Sequence, residues 1–417
     1  MRKLNVKRVL LTSIFFIILV GCIFVGCTKN NDKIQEKKLM IDFTNKTVEE
    51  VKEFCNNNNI NLVIEEENNS LKKGYVISQS INAGTEITDN IELVIKVSKG
   101  LDYASLKVNE LGNIPIMMYH GIHNITDNKY TGGNVDKDGY QRTTKAFEKD
   151  LEFYYENGYR MIRLIDYVNG IIDVEAGYSP IILTFDDGLS NNIKVLGLDE
   201  NGEIIIDPNS AVGVLERFKK KYPDFNITAT FFVNGGLFQQ AEYNEKILNW
   251  LVDNGYDIGN HSYSHPDFTT ISKEKSVQEI GSIYNLLDKY IENRYVNIVA
   301  MPFGSPYKKS HENFQTIMKG NYNGKYYETI SALMVGWEAE DSPFSTSFDK
   351  TILKRIRAYD NNGVEFDIEM NFKILENKRY ISDGNKDTIT VPKGKEDNIS
   401  NVYNLDVITY WQKFNLC

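Results

Sequence analysis

From Asn113 onward, apolar strand-like runs alternate with helical stretches. The strand candidates are 114–119, 159–162, 180–184, 229–234, 258–260 and 298–303; the helices between them are 147–155, 211–220, 245–254 and 273–291. Alternation sustained over roughly 300 residues predicts an α/β unit with a mainly parallel sheet, closed or doubly wound. In such folds the chemistry sits at the carboxyl ends of the strands. Residues 201–207 read as a surface insertion. The tail beyond about Phe366 holds strand-like pieces (388–391 and 407–411) that point to no function.

Polar residues gather where the strands end. Ile181-Ile182-Leu183-Thr184-Phe185 runs into Asp186-Asp187-Gly188. Adjacent carboxylates at a strand terminus repel and call for a cation or a proton; taken alone, Asp-Asp-Gly reads first as an acidic turn. Asp257-Ile258-Gly259-Asn260 then leads into His261-Ser262-Tyr263-Ser264-His265. On one helical turn this four-residue spacing would face both imidazoles the same way. Two histidines and one carboxylate make a three-ligand site for a divalent metal, with a position left for water.

Charge narrows the partners. With 47 basic and 57 acidic residues the chain carries −10, which argues against nucleic acid because phosphate binding relies on Lys and Arg. A neutral polymer such as a glycan stays open. Arg2, Lys3, Lys7 and Arg8 precede an almost wholly apolar stretch from Val9 to Val25. Residues 1–27 therefore read as an export signal or an uncleaved membrane anchor. Residues 28–39 look like a tether and 101–112 like a linker. Between them, 40–100 reads as a small α+β unit. Thr47 and Glu50 form a capping box, and Val48, Val51 and Phe54 recur at helical spacing. Ile91, Leu93, Ile95 and Val97 alternate as a half-buried strand does. Cys55 reads as a small buried hydrophobe on the helix.

Three resemblances attach to these segments. Leu19-Val20-Gly21-Cys22 resembles the bacterial lipoprotein box, and Phe24-Val25-Gly26-Cys27 does so less closely. This implies a lipid on Cys22 or Cys27 and a body held at the extracytoplasmic face of a bacterial cell membrane. Thr47-Val48-Glu49-Glu50-Val51, Lys73-Gly74-Tyr75-Val76-Ile77-Ser78-Gln79-Ser80, Ala83-Gly84-Thr85 and Val94 to Gly100 resemble a PASTA module, which implies contact with peptidoglycan, or a spacer. Asp42, Ile81 and Ala83 stand where that family usually has proline.

Thr184-Phe185-Asp186-Asp187-Gly188, Ala229-Thr230-Phe231-Phe232-Val233 and Gly259-Asn260-His261-Ser262-Tyr263-Ser264-His265 resemble the polysaccharide deacetylase (NodB-homology) domain of carbohydrate esterase family four. Within 113–417 the likeness is clearest to about residue 345. It implies a deformed (β/α) barrel. Asp187, His261 and His265 would hold Zn²⁺ or a similar ion such as Co²⁺, with Asp186 as general base on the attacking water. The family's Arg-x-Pro-Tyr-Gly motif becomes Ala300-Met301-Pro302-Phe303-Gly304 here. Pro302 and the Phe303 N–H can still serve the oxyanion. Ala300 removes the arginine that usually pairs with the base, which would raise the Asp186 pKa or loosen its orientation. No histidine follows His311, so the family's C-terminal Leu-x-His is missing. Met118-x-His120 has the same shape at the domain's start, as in permuted relatives that deacetylate poly-N-acetylglucosamine, and makes His120 the expected general acid. His123 and His311 read as surface residues. Trp337, with Asp341-Ser342-Pro343, is expected along the sugar groove. The function implied is metal-dependent deacetylation of a wall or surface glycan, with peptidoglycan N-acetylglucosamine favoured. The alternatives are a wall-binding lipoprotein without turnover and an esterase for small acetylated sugars or xylan.

Overall fold

The computed structural model describes residues 37–126, 129–336 and 338–412. The expectations for residues 1–27, including Cys22 and Cys27, and for Trp337 lie outside these. Among the described residues no helix is long and apolar enough to cross a membrane. The chain divides into two compact units, at Leu101 and Asp102.

In the first unit, helix α1 (Val48–Asn58) starts where Thr47 and Glu50 cap each other, and ends at Asn59 in the left-handed conformation. It buries Val51 and Cys55. They pack with Phe43, Leu93, Ile95 and Val97 over a three-stranded sheet. Strand β1 (Asn61–Glu67) runs parallel to β3 (Glu92–Ser98), and β2 (Val76–Gln79) runs antiparallel to β3 on its other side.

The second unit holds nine parallel strands: β4 (Ile116–Tyr119), β5 (Tyr159–Met161), β6 (Ser179–Phe185), β7 (Thr230–Val233), β8 (Asp257–Asn260), β9 (Ile298–Ala300), β10 (Ser331–Leu333), β11 (Ile352–Leu353) and β12 (Ile356–Arg357). Their order is β11-β10-β9-β8-β7-β6-β4-β12, with β5 beside β6. The two ends of this ladder, β11 and β12, are separated in the chain only by Lys354 and Arg355, so the sheet curls until its edges meet as a deformed (β/α) barrel. Side chains alternate across it. Ile116, Ile182, Phe232, Ile298, Leu333 and Leu353 fill the inside. Met117, Leu183, Phe185, Phe231, Ile258 and Ile356 face outward. That outer face is covered by α2 (Thr144–Glu156), α3 (Ala211–Lys221), α4 (Asn244–Asp253) and α5 (Lys273–Ile291).

The structure corrects three readings. Residues 102–112 are not a bare linker: Asp102 caps a short helix (Tyr103–Leu106), and Val108 and Glu110 are buried. The tail is structural. Tyr380, Ile389 and Val391 join the inner core, and Thr388–Pro392 pairs with Asp406–Tyr410. These residues plug the end of the barrel where β4 begins. Strands β10 to β12 were missed because pieces of two or three residues are too short to show an alternation. The 201–207 insertion turns between two strands, Val195–Leu198 and Ile204–Ile206, that form an exposed hairpin.

Candidate metal and catalytic centre

Strands β4, β6 and β8 each end in a residue that faces the mouth of the barrel. Tyr119 pairs with Phe185, and the Asp186 N–H donates to the Tyr119 carbonyl at 2.9 Å. His120 and Asp186 are thus neighbours at adjacent strand ends. Asp187 follows at φ 73° and Gly188 at φ 56°. A side chain at Gly188 would lie 2.3 Å from the Leu237 carbonyl oxygen, so this turn requires glycine.

The His261–His265 segment is not a helical turn, contrary to the spacing argument. Ser262 and His265 both take positive φ, at 61° and 57°. These two left-handed residues fold the loop back so that the rings converge, with centroids 4.9 Å apart. Buried Glu279, reaching from α5, holds the loop through Ser264 N–H (2.6 Å) and Oγ–H (2.7 Å). The buried Asn260 side chain accepts from the Ser262 N–H at 2.8 Å. Strained backbone gathered at one place is typical of a site whose geometry the fold over-determines.

Asp187 Oδ1 lies 3.3 Å from His261 Nε2 and 3.5 Å from His265 Nε2. His261 Nδ1 donates to the Ala300 carbonyl at 2.8 Å, which turns the lone pair of Nε2 toward Asp187. That Nε2 is buried and makes no hydrogen bond. One ligand atom from each of Asp187, His261 and His265 lies within 4.8 Å of the others. A divalent ion bonded at about 2.0–2.2 Å to nitrogen and carboxylate oxygen fits between atoms so spaced. Burial opposes charge on His261, but Asp186 and Asp187 outweigh it and raise its pKa. Burial and the nearby His261 lower that of His265.

Asp186 is fully buried and does not lack a cation. Arg355, in the two-residue link between β11 and β12, forms a fork with it: Nη1 to Oδ1 at 2.8 Å and Nη2 to Oδ2 at 2.7 Å. Arg355 is itself wholly buried and also donates to the Met334 carbonyl and Thr184 Oγ1. Burial alone would raise the Asp186 pKa, yet Arg355 and the neighbouring imidazoles hold it well below the usual carboxylate range. The expected consequence of Ala300 is therefore reversed. Sequence reading missed Arg355 because its signal, a basic pair inside Ile352-Leu353-Lys354-Arg355-Ile356, lies between two very short strands.

The His120 ring packs edge-on against Tyr140 at 5.1 Å, and its buried Nδ1 has no hydrogen-bond partner. Its carbonyl is anchored by Asn192 Nδ2 at 2.7 Å. Burial keeps its pKa below the usual imidazole value, against the pull of Asp186 and Asp187. Pro302 is buried, and Phe303 sits at φ 58° with its exposed ring 4.7 Å from that of His265. The Phe303 N–H donates to no carbonyl among the described residues. Of two further exposed rings, Tyr307 lies beside Gly304 and Tyr263 lies over Gly235.

Asp341-Ser342-Pro343 does not line the mouth. Glu340 bridges Ile114 at the opposite end, where Asp341 accepts from Asn113 and Ser342 donates to the Glu110 carbonyl. His123 bonds Gln141, and His311 caps a short helix.

Residues 173–317 match the family described as polysaccharide deacetylase, and residues 38–99 match the PASTA domain. The peptidoglycan-N-acetylmuramic acid deacetylase PdaC of Bacillus subtilis is 29% identical over 133 residues, which are 31% of this chain and 23% of that protein. The peptidoglycan-N-acetylmuramic acid deacetylase PdaA of the same organism is 30% identical over 103 residues, 25% of this chain and 30% of that protein. The chain thus spans less than a third of the length of these relatives. Among solved structures, the Streptococcus pyogenes deacetylase PplD in complex with acetate aligns with a TM-score of 0.43 at 19% identity, over 60% of this chain and 94% of that one.

Proposed function

We propose that this chain, which matches the polysaccharide deacetylase family over residues 173–317 and the PASTA domain over 38–99, hydrolyses N-acetyl groups from the sugars of peptidoglycan. The observation that carries this reading is the meeting of three ligand groups beside an aspartate held ionised by Arg355. Asp187, His261 and His265 would hold a divalent ion, Zn²⁺ by the nitrogen-rich donor set. When bound, such an ion polarises a carbonyl and makes water more acidic.

The remaining steps belong to the chain. Asp186, ionised and fixed by the arginine fork, accepts the proton of the attacking water. The Phe303 N–H donates to the acetamide oxygen as negative charge builds there. His120 hands a proton to the leaving nitrogen; without it the new C–O bond breaks in preference to the C–N bond and the acetamide returns. An imidazole below its usual pKa is the stronger acid once protonated. A C–O bond to the water oxygen forms, the C–N bond breaks, and acetate and a free amine leave. The exposed rings of Phe303, Tyr307 and Tyr263 offer faces for flanking sugars of a polymer.

The PASTA domain would contact the wall. The N-terminal segment would tether the enzyme, through lipid on Cys22 or Cys27 or as a helix, to the outer face of a bacterial cell membrane. Arg355 answers the departure at Ala300 that favoured a barrel without turnover. Acetate release from peptidoglycan, its loss on chelation and its return with added Zn²⁺ test the assignment. Asp186→Asn and His261→Ala should each lower the rate about 10³-fold or more; activity that survives both overturns it.

A further inference from the structure

Arg357 is a half-buried arginine that no carboxylate among the described residues answers. It stands on β12 opposite Met118 of β4, two residues from His120. Alternation along 353–357 gives it the same inward parity as Leu353 and Arg355. Among the described residues its guanidinium makes no ion pair. It stacks instead on two rings, 4.4 Å from the Tyr359 centroid and 4.9 Å from that of Tyr140. The next acid along the chain, Asp360, is committed to Arg142 at 2.9 Å and to the Gly133 N–H. A guanidinium stacked by its faces keeps its edge of N–H donors free for a planar anion.

Tyr140 also touches His120, so a single ring contacts both the proton donor and the unanswered cation. This fixes which part of a substrate Arg357 can meet. His120 must reach the nitrogen on C2 of the sugar. C2 is bonded only to C1 and C3 of the ring, and in a 1,4-linked polymer C1 lies in the chain while O3 is free to carry a substituent. We propose that Arg357 binds a carboxylate carried on O3 next to the acetamide, so that the preferred sugar is the lactyl-ether sugar of peptidoglycan with its carboxylate free, and not the unsubstituted N-acetylglucosamine favoured from sequence. The proposal rests on His120 as proton donor, and so on the function proposed above.

The test compares kcat/KM for acetate release from three substrates: neutral N-acetylglucosamine oligomers, peptide-free peptidoglycan strands, and the same strands with the lactyl carboxylate methyl-esterified. Mass spectrometry identifies the sugar that loses its acetyl group. The wild type should favour the free carboxylate over its ester, and Arg357→Gln should shrink that ratio by about 10- to 100-fold. Arg357→Lys should restore part of it, since charge without the fork still attracts. A ratio that Arg357→Gln leaves unchanged, with all substrates slowed alike, means the residue only positions Tyr140 and His120, and overturns the inference while the deacetylase reading stands. Acetate release from none of the three overturns both.

Discussion

Each end of the barrel buries a carboxylate, and the two are handled in opposite ways. At the carboxyl end, Asp186 meets a guanidinium fork at 2.7 and 2.8 Å and is held as an anion. At the amino end, Glu110 is as deeply buried but meets no cation among the described residues. It accepts from Tyr380 Oη–H (2.8 Å), Thr390 N–H (2.7 Å) and Asp383 N–H (3.2 Å). Burial and the Asp383 carboxylate push its pKa up to about 8, against those donors. The first arrangement suits the general base proposed above, an anion held ready for a proton. The second ties residues 380–390 of the tail to the segment that enters β4, and holds them with an acid that stays largely protonated at neutral pH. Depth of burial is the same; the partner decides the charge.

Removing the cation at the first end should have the largest effect. Arg355→Met leaves Asp186 buried and unpaired, which costs about 3–5 kcal/mol of stability. Acetate release should fall about 100-fold or more in the molecules that remain folded, because the base is neither oriented nor kept ionised. Arg355→Lys, with charge but no fork, should fall between. Chemical denaturation of Arg355→Met that matches wild type would show that the two ends do not differ as described. His120→Gln sharpens the contrast within one end. Its buried Nδ1 makes no hydrogen bond to lose, so stability should change little while kcat drops about 10²- to 10⁴-fold. A rise in KM alone, with kcat retained, would remove His120 from the chemistry.

The two ends also differ in how far sequence reveals them. Asp186, Asp187, His261 and His265 stand in contiguous motifs at the ends of apolar runs, and a four-residue spacing needs no long-range information. Even so, that spacing suggested a helical turn, and only the backbone at Ser262 and His265 corrects it. Met118-x-His120 was legible as the shape of a lost motif, and the pairing of β4 with β12 explains why: the first strand of the barrel lies beside the last. Arg355 was not legible. It lies 169 residues from Asp186 along the chain, and nothing local distinguishes it from Lys354. Glu110 was hidden for the same reason, since its partners come from 270 to 280 residues away. A cluster assembled by closure of the sheet carries no pattern in one stretch of sequence.

The smallest effect on activity is expected at Glu110, and its pH dependence of stability has a definite sign. The folded pKa of about 8 lies above the ordinary 4.5, so between these values the folded chain holds a proton that the unfolded chain releases. Stability should be greatest below about pH 4.5 from this group, decline by up to about 1.4 kcal/mol per unit as pH rises, and level off above about 8. Glu110→Gln removes the titration. Its amide nitrogen cannot accept from the Thr390 N–H, a loss of about 1–3 kcal/mol at acid pH. The variant should therefore start less stable than wild type and overtake it as pH nears 8, because the wild type's decline over that span exceeds the deficit, with acetate release per folded molecule unaltered because the proposed site lies at the other mouth. Thermal melting across pH 4.5 to 8.5 decides the matter. Parallel curves for the two proteins would mean that Glu110 is ionised throughout, and that both ends of the barrel bury a charge after all.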